Sequence, residues 1–204
     1  NEVVQLFPED AGLVDELARL REAAGDSSGV VAAVDIAIEL AGSGGKKDTP
    51  DARDRLRALH RRRGELCSGL AYDAGKGLAS FQFLLAQDSD DLTAREAFEA
   101  LLSREGRAKE LAEHLSREVE RRKKLPSSDK NNSASVLAGL ERRRAELLRG
   151  PLADAAAAEA AFRAALGFDP ADARTREGLE ALLRATGKQE AHARTLAENA
   201  ARAP

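Results

Sequence analysis

The chain has neither methionine nor tryptophan, and among its 204 residues there are one cysteine, one tyrosine and six phenylalanines. Each shortage removes a class of explanation. The lone Cys67 has no partner for an intramolecular disulfide and cannot build a thiolate zinc site. Few aromatic and β-branched residues leave little of the stock from which sheets are made. No run of 18 apolar residues occurs, so membrane insertion is not expected. No charged leader followed by an apolar core marks an export signal. The compartment stays open, with the cytoplasm favoured over the periplasm because a single cysteine suits a reducing environment. A net charge of −3 and a pI near 5.8 give no general attraction to nucleic acid, which is not an expected partner.

What the chain does have is alanine, leucine, glutamate and arginine in abundance, all strong helix formers, with 43% of residues hydrophobic and 33% charged. It also repeats itself. Sliding the sequence by 81 positions aligns residues 59–118 with 140–199 without a gap and with 23 of 60 identities. Chance would give roughly 6 in so alanine-rich a chain. Leu59/Leu140, Arg61-Arg62-Arg63/Arg142-Arg143-Arg144, Phe81/Phe162, Leu101-Leu102/Leu182-Leu183 and Gly106/Gly187 are among the matches. A shift of 162 adds the N-terminal segment through Pro8/Pro170, Asp10/Asp172, Leu17/Leu179 and Gly25/Gly187. That segment is therefore the second half of a third copy, and a chain starting at Asn1 in mid-unit is expected to be a fragment of a longer array. Alanine- and arginine-rich, lysine-poor usage points to a high-GC bacterial genome.

Apolar residues three or four apart, such as Leu17 and Leu20, then Val30, Val34 and Ile38, mark helices with one buried stripe. Gly25, Gly106 and Gly187 fall between stripes, where positive φ ends a helix. Asp10, Asp91 and Asp172 stand at candidate N-caps, with Pro8 and Pro170 just before two of them. The expectation is an all-α solenoid of about ten helices in antiparallel pairs, near 10–24, 28–41, 51–68, 73–87, 92–104, 107–124, 134–149, 154–167, 172–185 and 188–202. Organised by copy, this gives a half-unit at 1–41, a loop at 42–50, a full unit at 51–124, a loop at 125–133 and a second full unit at 134–204, all in one solenoid domain. The composition of Ala41–Pro50 and Leu125–Ser133, rich in Gly, Ser, Pro, Asn and Lys, predicts mobile surface loops on one side of the array.

Ala158, Phe162, Ala165 and Pro170, in the stretch EAAFRAALGFDP, resemble the second helix and exit turn of a tetratricopeptide repeat. Gly77 and Phe81 keep the first two features one unit earlier. Leu84 and Ser89 lose the last two. The resemblance implies a right-handed superhelix whose concave face binds peptides or protein surfaces. Two 34-residue repeats fill only 68 of the 81 positions, so loops and longer first helices depart from the family pattern.

Comparing each polar residue with its twin filters the candidate sites. Cys67 matches Leu148, as a small core hydrophobe would. His60, His114 and His192 match Glu141, Thr195 and Leu111, and none has a second ligand at metal spacing. No metal, cofactor or catalytic residue is expected, since no phosphate-binding glycine loop, nucleophile elbow or HExxH motif occurs. The polar feature that repeats is the arginine triplet. Two readings stand: a solvated helix surface with Glu65 and Glu146 in reach, or docking points for an acidic peptide at Arg61, Arg62, Arg142 and Arg143. The basic run Arg121–Lys124 reads as a charged helix end favoured by the macrodipole. The expected function is a non-enzymatic scaffold that binds a protein or acidic peptide. Its rivals are end-to-end self-assembly and arginine-mediated nucleic-acid binding, and the shortage of stacking aromatics counts against the last.

Overall fold

A computed structural model describes residues 11–43, 49–126, 129 and 132–200, which hold ten α-helices and no strand. These are α1 (Ala11–Ala23), α2 (Ser27–Ser43), α3 (Pro50–Ser68), α4 (Ala74–Gln87), α5 (Leu92–Arg104), α6 (Ala108–Lys123), α7 (Ala134–Arg149), α8 (Ala155–Phe168), α9 (Ala173–Ala185) and α10 (Gln189–Ala200). The chain forms two compact units, Asn1–Glu105 with α1–α5 and Gly106–Pro204 with α6–α10. The division falls between α5 and α6, inside the stretch 51–124 expected to be one full unit. Within each unit every helix packs on its sequence neighbours, and α3 also meets α5 in the first unit as α7 meets α9 in the second.

The repeat sets the helix boundaries. α4 and α5 begin and end 81 positions before α8 and α9, and α3 ends 81 positions before α7. Recurring caps explain the coincidence. Asp91 Oδ1 accepts from Ala94 N at 3.0 Å, and its twin Asp172 accepts from Arg174 N at 3.0 Å. Asp73 and Asp154 close α4 and α8 in the same way, through Lys76 N at 3.0 Å and Ala157 N at 2.9 Å. Gly25 and Gly187 take φ of 71° and 68°. This left-handed turn lets Asp26 N reach Arg21 O at 2.9 Å and Lys188 N reach Leu183 O at 3.0 Å, so orphan carbonyls at the ends of α1 and α9 are satisfied alike.

The first expected loop is shorter than its composition suggests. Ala41–Ser43 continue α2, and Pro50 opens α3 behind Thr49, whose Oγ1 accepts from Ala52 N at 3.2 Å. Proline fits there because the first helical N–H has no intrahelical acceptor. Positions 44–48 lie outside the described residues, as do Pro8 and Asp10. The second keeps its expected length between α6 and α7: Asn132 Nδ2 donates to Leu125 O at 2.8 Å, and Ser133 stands at the N-cap position of α7 without a side-chain capping bond, while 127, 128, 130 and 131 are outside the described residues.

Each unit has its own core. In the first, Val14 and Ala18 of α1 meet Ala33 and Ala37 of α2, and Leu59 of α3 packs against them. In the second, Ala145 of α7, Ala158, Ala161 and Phe162 of α8, and Leu179, Leu182 and Leu183 of α9 form one buried cluster. The repeated phenylalanines differ in what they lean on. Phe81 lies so close to α3 that a Cβ at Gly64 would sit 2.7 Å from its Cε1, whereas Phe162 is that close to Gly178 of α9. Their twins are Ala145 and Ala97. Glycine and alanine are thus exchanged between the two copies at the positions beside the phenylalanine.

Candidate functional site

The arginine triplets are built into the fold. Arg61 Nη2 donates to Asp91 Oδ2 at 2.6 Å, and Arg142 Nε lies 3.3 Å from Asp172 Oδ2. Both pairs tie the first helix of a repeat to the N-cap of the next helix but one, α3 to α5 and α7 to α9. Burial disfavours ionisation of Asp91, but hydrogen bonds from Ala94 N–H and Arg61 outweigh it and hold the carboxyl below its usual range. Asp172 is likewise depressed against its burial, by the Thr175 hydroxyl and backbone and by Arg142. Arg62 Nη2 reaches Glu22 Oε2 at 2.8 Å on an exposed surface, and its twin Arg143 is exposed. Of the four arginines singled out from sequence, then, Arg61 and Arg142 serve as internal ties, while Arg62 and Arg143 lie further out.

The third arginine, passed over in the sequence, has the more informative surroundings. Arg63 donates from Nη1 to Asp35 Oδ1 of α2 at 3.0 Å and from Nε to Ser80 Oγ of α4 at 2.7 Å. Asp35 Oδ2 also accepts from Lys76 Nζ of α4 at 2.6 Å, a bond that raises the lysine pKa. One carboxylate thus braces three helices. In the second unit Arg144 is kept, but Ser116, Ala161 and Ala157 stand where Asp35, Ser80 and Lys76 stand. Arg144 Nη1 instead donates to Glu141 Oε2 of its own helix at 3.0 Å.

Where the brace is lost there is a pocket of about 370 Å³. Lys109, Ala112, Glu113 and Ser116 of α6 form one wall, and Arg144 and Leu148 of α7 another. Leu152 and Asp154, from the turn into α8, close it. Lys109 and Ser116 are seven residues apart, hence on one helix face. The sequence signal for this site was the Asp35/Ser116 mismatch, which lies upstream of the region where identity between the copies is high.

The first unit carries a different surface feature. Leu70 is 84% and Tyr72 43% exposed at the turn from α3 to α4, and the Arg104 guanidinium lies 3.9 Å from the tyrosine ring centroid. The Tyr72 hydroxyl bonds Glu105, which raises its pKa. Pro151, Ala153 and Ala185 occupy the twin positions.

Two further candidates, Cys67 and His60, are packing residues. Cys67 is fully buried, and burial pushes its thiol pKa up. His60 is buried, stacked on Phe83 with ring centroids 3.8 Å apart. Desolvation, assisted by the charge of Arg63, lowers its pKa to about 4, so it is neutral at pH 7. Among the described residues no group of three or more His, Cys, Asp and Glu is placed to hold a metal ion, and no helix is long and apolar enough to cross a membrane. No protein-family model matches the chain, and no curated protein matches it either.

Proposed function

We propose that the chain is a protein-binding scaffold of tetratricopeptide-like helical repeats, recognising a peptide or protein surface rather than catalysing a reaction. The observation that carries this reading is that the two copies keep their frame and vary their surface. Arg61–Asp91 and Arg142–Asp172, the aspartate caps, and Phe81 and Phe162 are retained. Tyr72, Leu70 and Arg104 in one unit are replaced in the twin, as are Lys109 and Ser116 of the α6–α7 pocket in the other. Repeat arrays bind through such variable positions on a constant scaffold, and exposed tyrosine and arginine are the residue types that most often anchor protein interfaces. The small–aromatic–small series Ala158, Phe162 and Ala165 is buried in α8, which supports the family resemblance at the level of packing.

The test is selection of a random displayed peptide library on the folded chain, followed by affinity measurement on the enriched sequences. Reversal of all four expected arginines would be ambiguous, because a glutamate at position 61 or 142 faces Asp91 or Asp172. Tyr72→Ala and the pair Arg62→Glu with Arg143→Glu are the cleaner variants. At least one is expected to weaken an enriched peptide by about tenfold or more. Failure to enrich any saturably binding peptide overturns the proposal.

A further inference from the structure

We infer that the pocket between α6 and α7 accepts a single acidic side chain from a bound peptide, its carboxylate taking the place that Asp35 fills from within the first unit. The inference rests on the protein-binding reading and names the chemistry of one of its contact points. The first unit supplies the template. There the carboxylate of Asp35 answers Arg63 and Lys76 at 3.0 and 2.6 Å, with Ser80 taking the Nε of the same arginine. The second unit retains the arginine and drops both cross-helix acceptors, and among the described residues Glu141 is bonded to Arg144 in their place. A guanidinium has five N–H donors in a planar fork, and one carboxylate leaves an edge on which a second can form paired bonds.

Lys109 adds a second cation on the face that carries Ser116, whereas its twin is the neutral Ser28. Ala112, Leu148 and Leu152 give an apolar lining for the methylene stem of an aspartate or glutamate. A volume of about 370 Å³ lies at the lower end of ligand pockets and suits one side chain rather than a folded segment. Glu113 and Asp154 set a limit on what enters. They repel a second carboxylate, so the site favours an isolated acid with neutral or basic neighbours over an acidic run.

Ser116→Asp is the decisive variant, because it restores the carboxylate of the first unit and leaves every cation in place. The probes are N-acetyl-glutamate N′-methylamide and its glutamine counterpart, titrated into the full chain with backbone amide shifts followed by NMR. Glutamate is expected to shift Ser116, Leu148 and Leu152 saturably, with an affinity on the order of millimolar for so small a ligand. Glutamine should bind at least about fivefold more weakly, since charge-assisted bonds are roughly twice as strong as neutral ones. Ser116→Asp should abolish the shifts while retaining the dispersed spectrum of a folded chain, and Arg144→Gln should do the same. Equal binding of both probes, unchanged binding by Ser116→Asp, or no saturable shift at these amides overturns the inference. If selected peptides bind wild type and Ser116→Asp equally, the pocket falls and the scaffold reading survives. If glutamate titrates here but no peptide is ever enriched, the scaffold reading falls and takes the peptide part of this inference with it.

Discussion

Helices α2–α5 of the first unit and α6–α9 of the second descend from one sequence pattern, yet they fill the space between their helices by different means. The first fills it with the stack of buried His60 on half-buried Phe83 and with the Asp35 brace, and the second puts Glu141, Ala164 and Ser116 at those positions and has a pocket beside Ser116. The backbone path depends on few residues. Aspartate caps, the arginine ties to Asp91 and Asp172, and a phenylalanine wedged against one glycine are enough to hold helix boundaries in register. Side chains between those points are free to diverge, provided each polar group keeps an acceptor. Arg144 shows the condition at work, having taken Glu141 as a partner on the helix that in the first unit carries His60.

The largest way to break the comparison is to remove the wedge. Phe81→Ala and Phe162→Ala each delete an almost fully buried ring and should cost about 3–5 kcal/mol. Hydrogen exchange resolved by unit is the measurement. Each change should raise exchange in its own unit, since the chain forms two compact units. Equal loss of protection in both units from either change would show that the two cores fold as one.

The exchanged glycines give a sharper test. Gly64→Ala places a Cβ 2.7 Å from the Phe81 ring and should destabilise by about 2 kcal/mol through overpacking. Adding Ala97→Gly reproduces the small-residue order around Phe162 and gives the ring room on the α5 side. Urea unfolding followed by circular dichroism should show the double variant recovering a substantial part of the loss. Additive losses would mean that the ring cannot shift and that the exchange is incidental.

His60 distinguishes the units by pH. Its folded pKa of about 4 lies below the unfolded value near 6.5, so the unfolded chain binds the proton more readily between the two. The stabilisation is complete above about pH 6.5 and is lost as pH falls towards 4, with a cost of about 2 kcal/mol after allowance for solvent screening. Stability measured at intervals through that window should fall in wild type. His60→Leu should flatten the curve relative to wild type, and an unchanged slope would refute the assignment.

Much of the frame is readable from residues alone, because caps, helix-ending glycines and apolar stripes act over three or four positions. Asp91, Asp172, Gly25 and Gly187 do what their spacing suggests. The arginines show where such reading stops. Arg61 and Asp91 are 30 positions apart, and only the packing of α3 on α5 makes them neighbours. Glu65, within helical reach, looked the nearer partner. The pocket is harder still to foresee, since Ser116 in its wall and Ala157 and Ala161 on α8 replace the members of the Asp35 brace, a pattern of filling visible only in the twin.

The smallest expected effect has the opposite sign. Ala153, at the turn into α8, takes φ of 51°, whereas its twin Tyr72 does not share the left-handed conformation. A Cβ in this region costs on the order of 1 kcal/mol, and glycine removes that cost while adding freedom to the unfolded chain. Ala153→Gly should therefore stabilise the second unit by about 0.5 kcal/mol, read as slowed exchange in α7 and α8. Tyr72→Gly has no such strain to relieve and should destabilise the first unit. The strain sits between Leu152 and Asp154, both in the pocket wall, so relief at 153 would also show whether the turn's conformation shapes the pocket. Glutamate binding unchanged in Ala153→Gly would place the pocket's shape in α6 and α7, and weakened binding would give the turn a share in it.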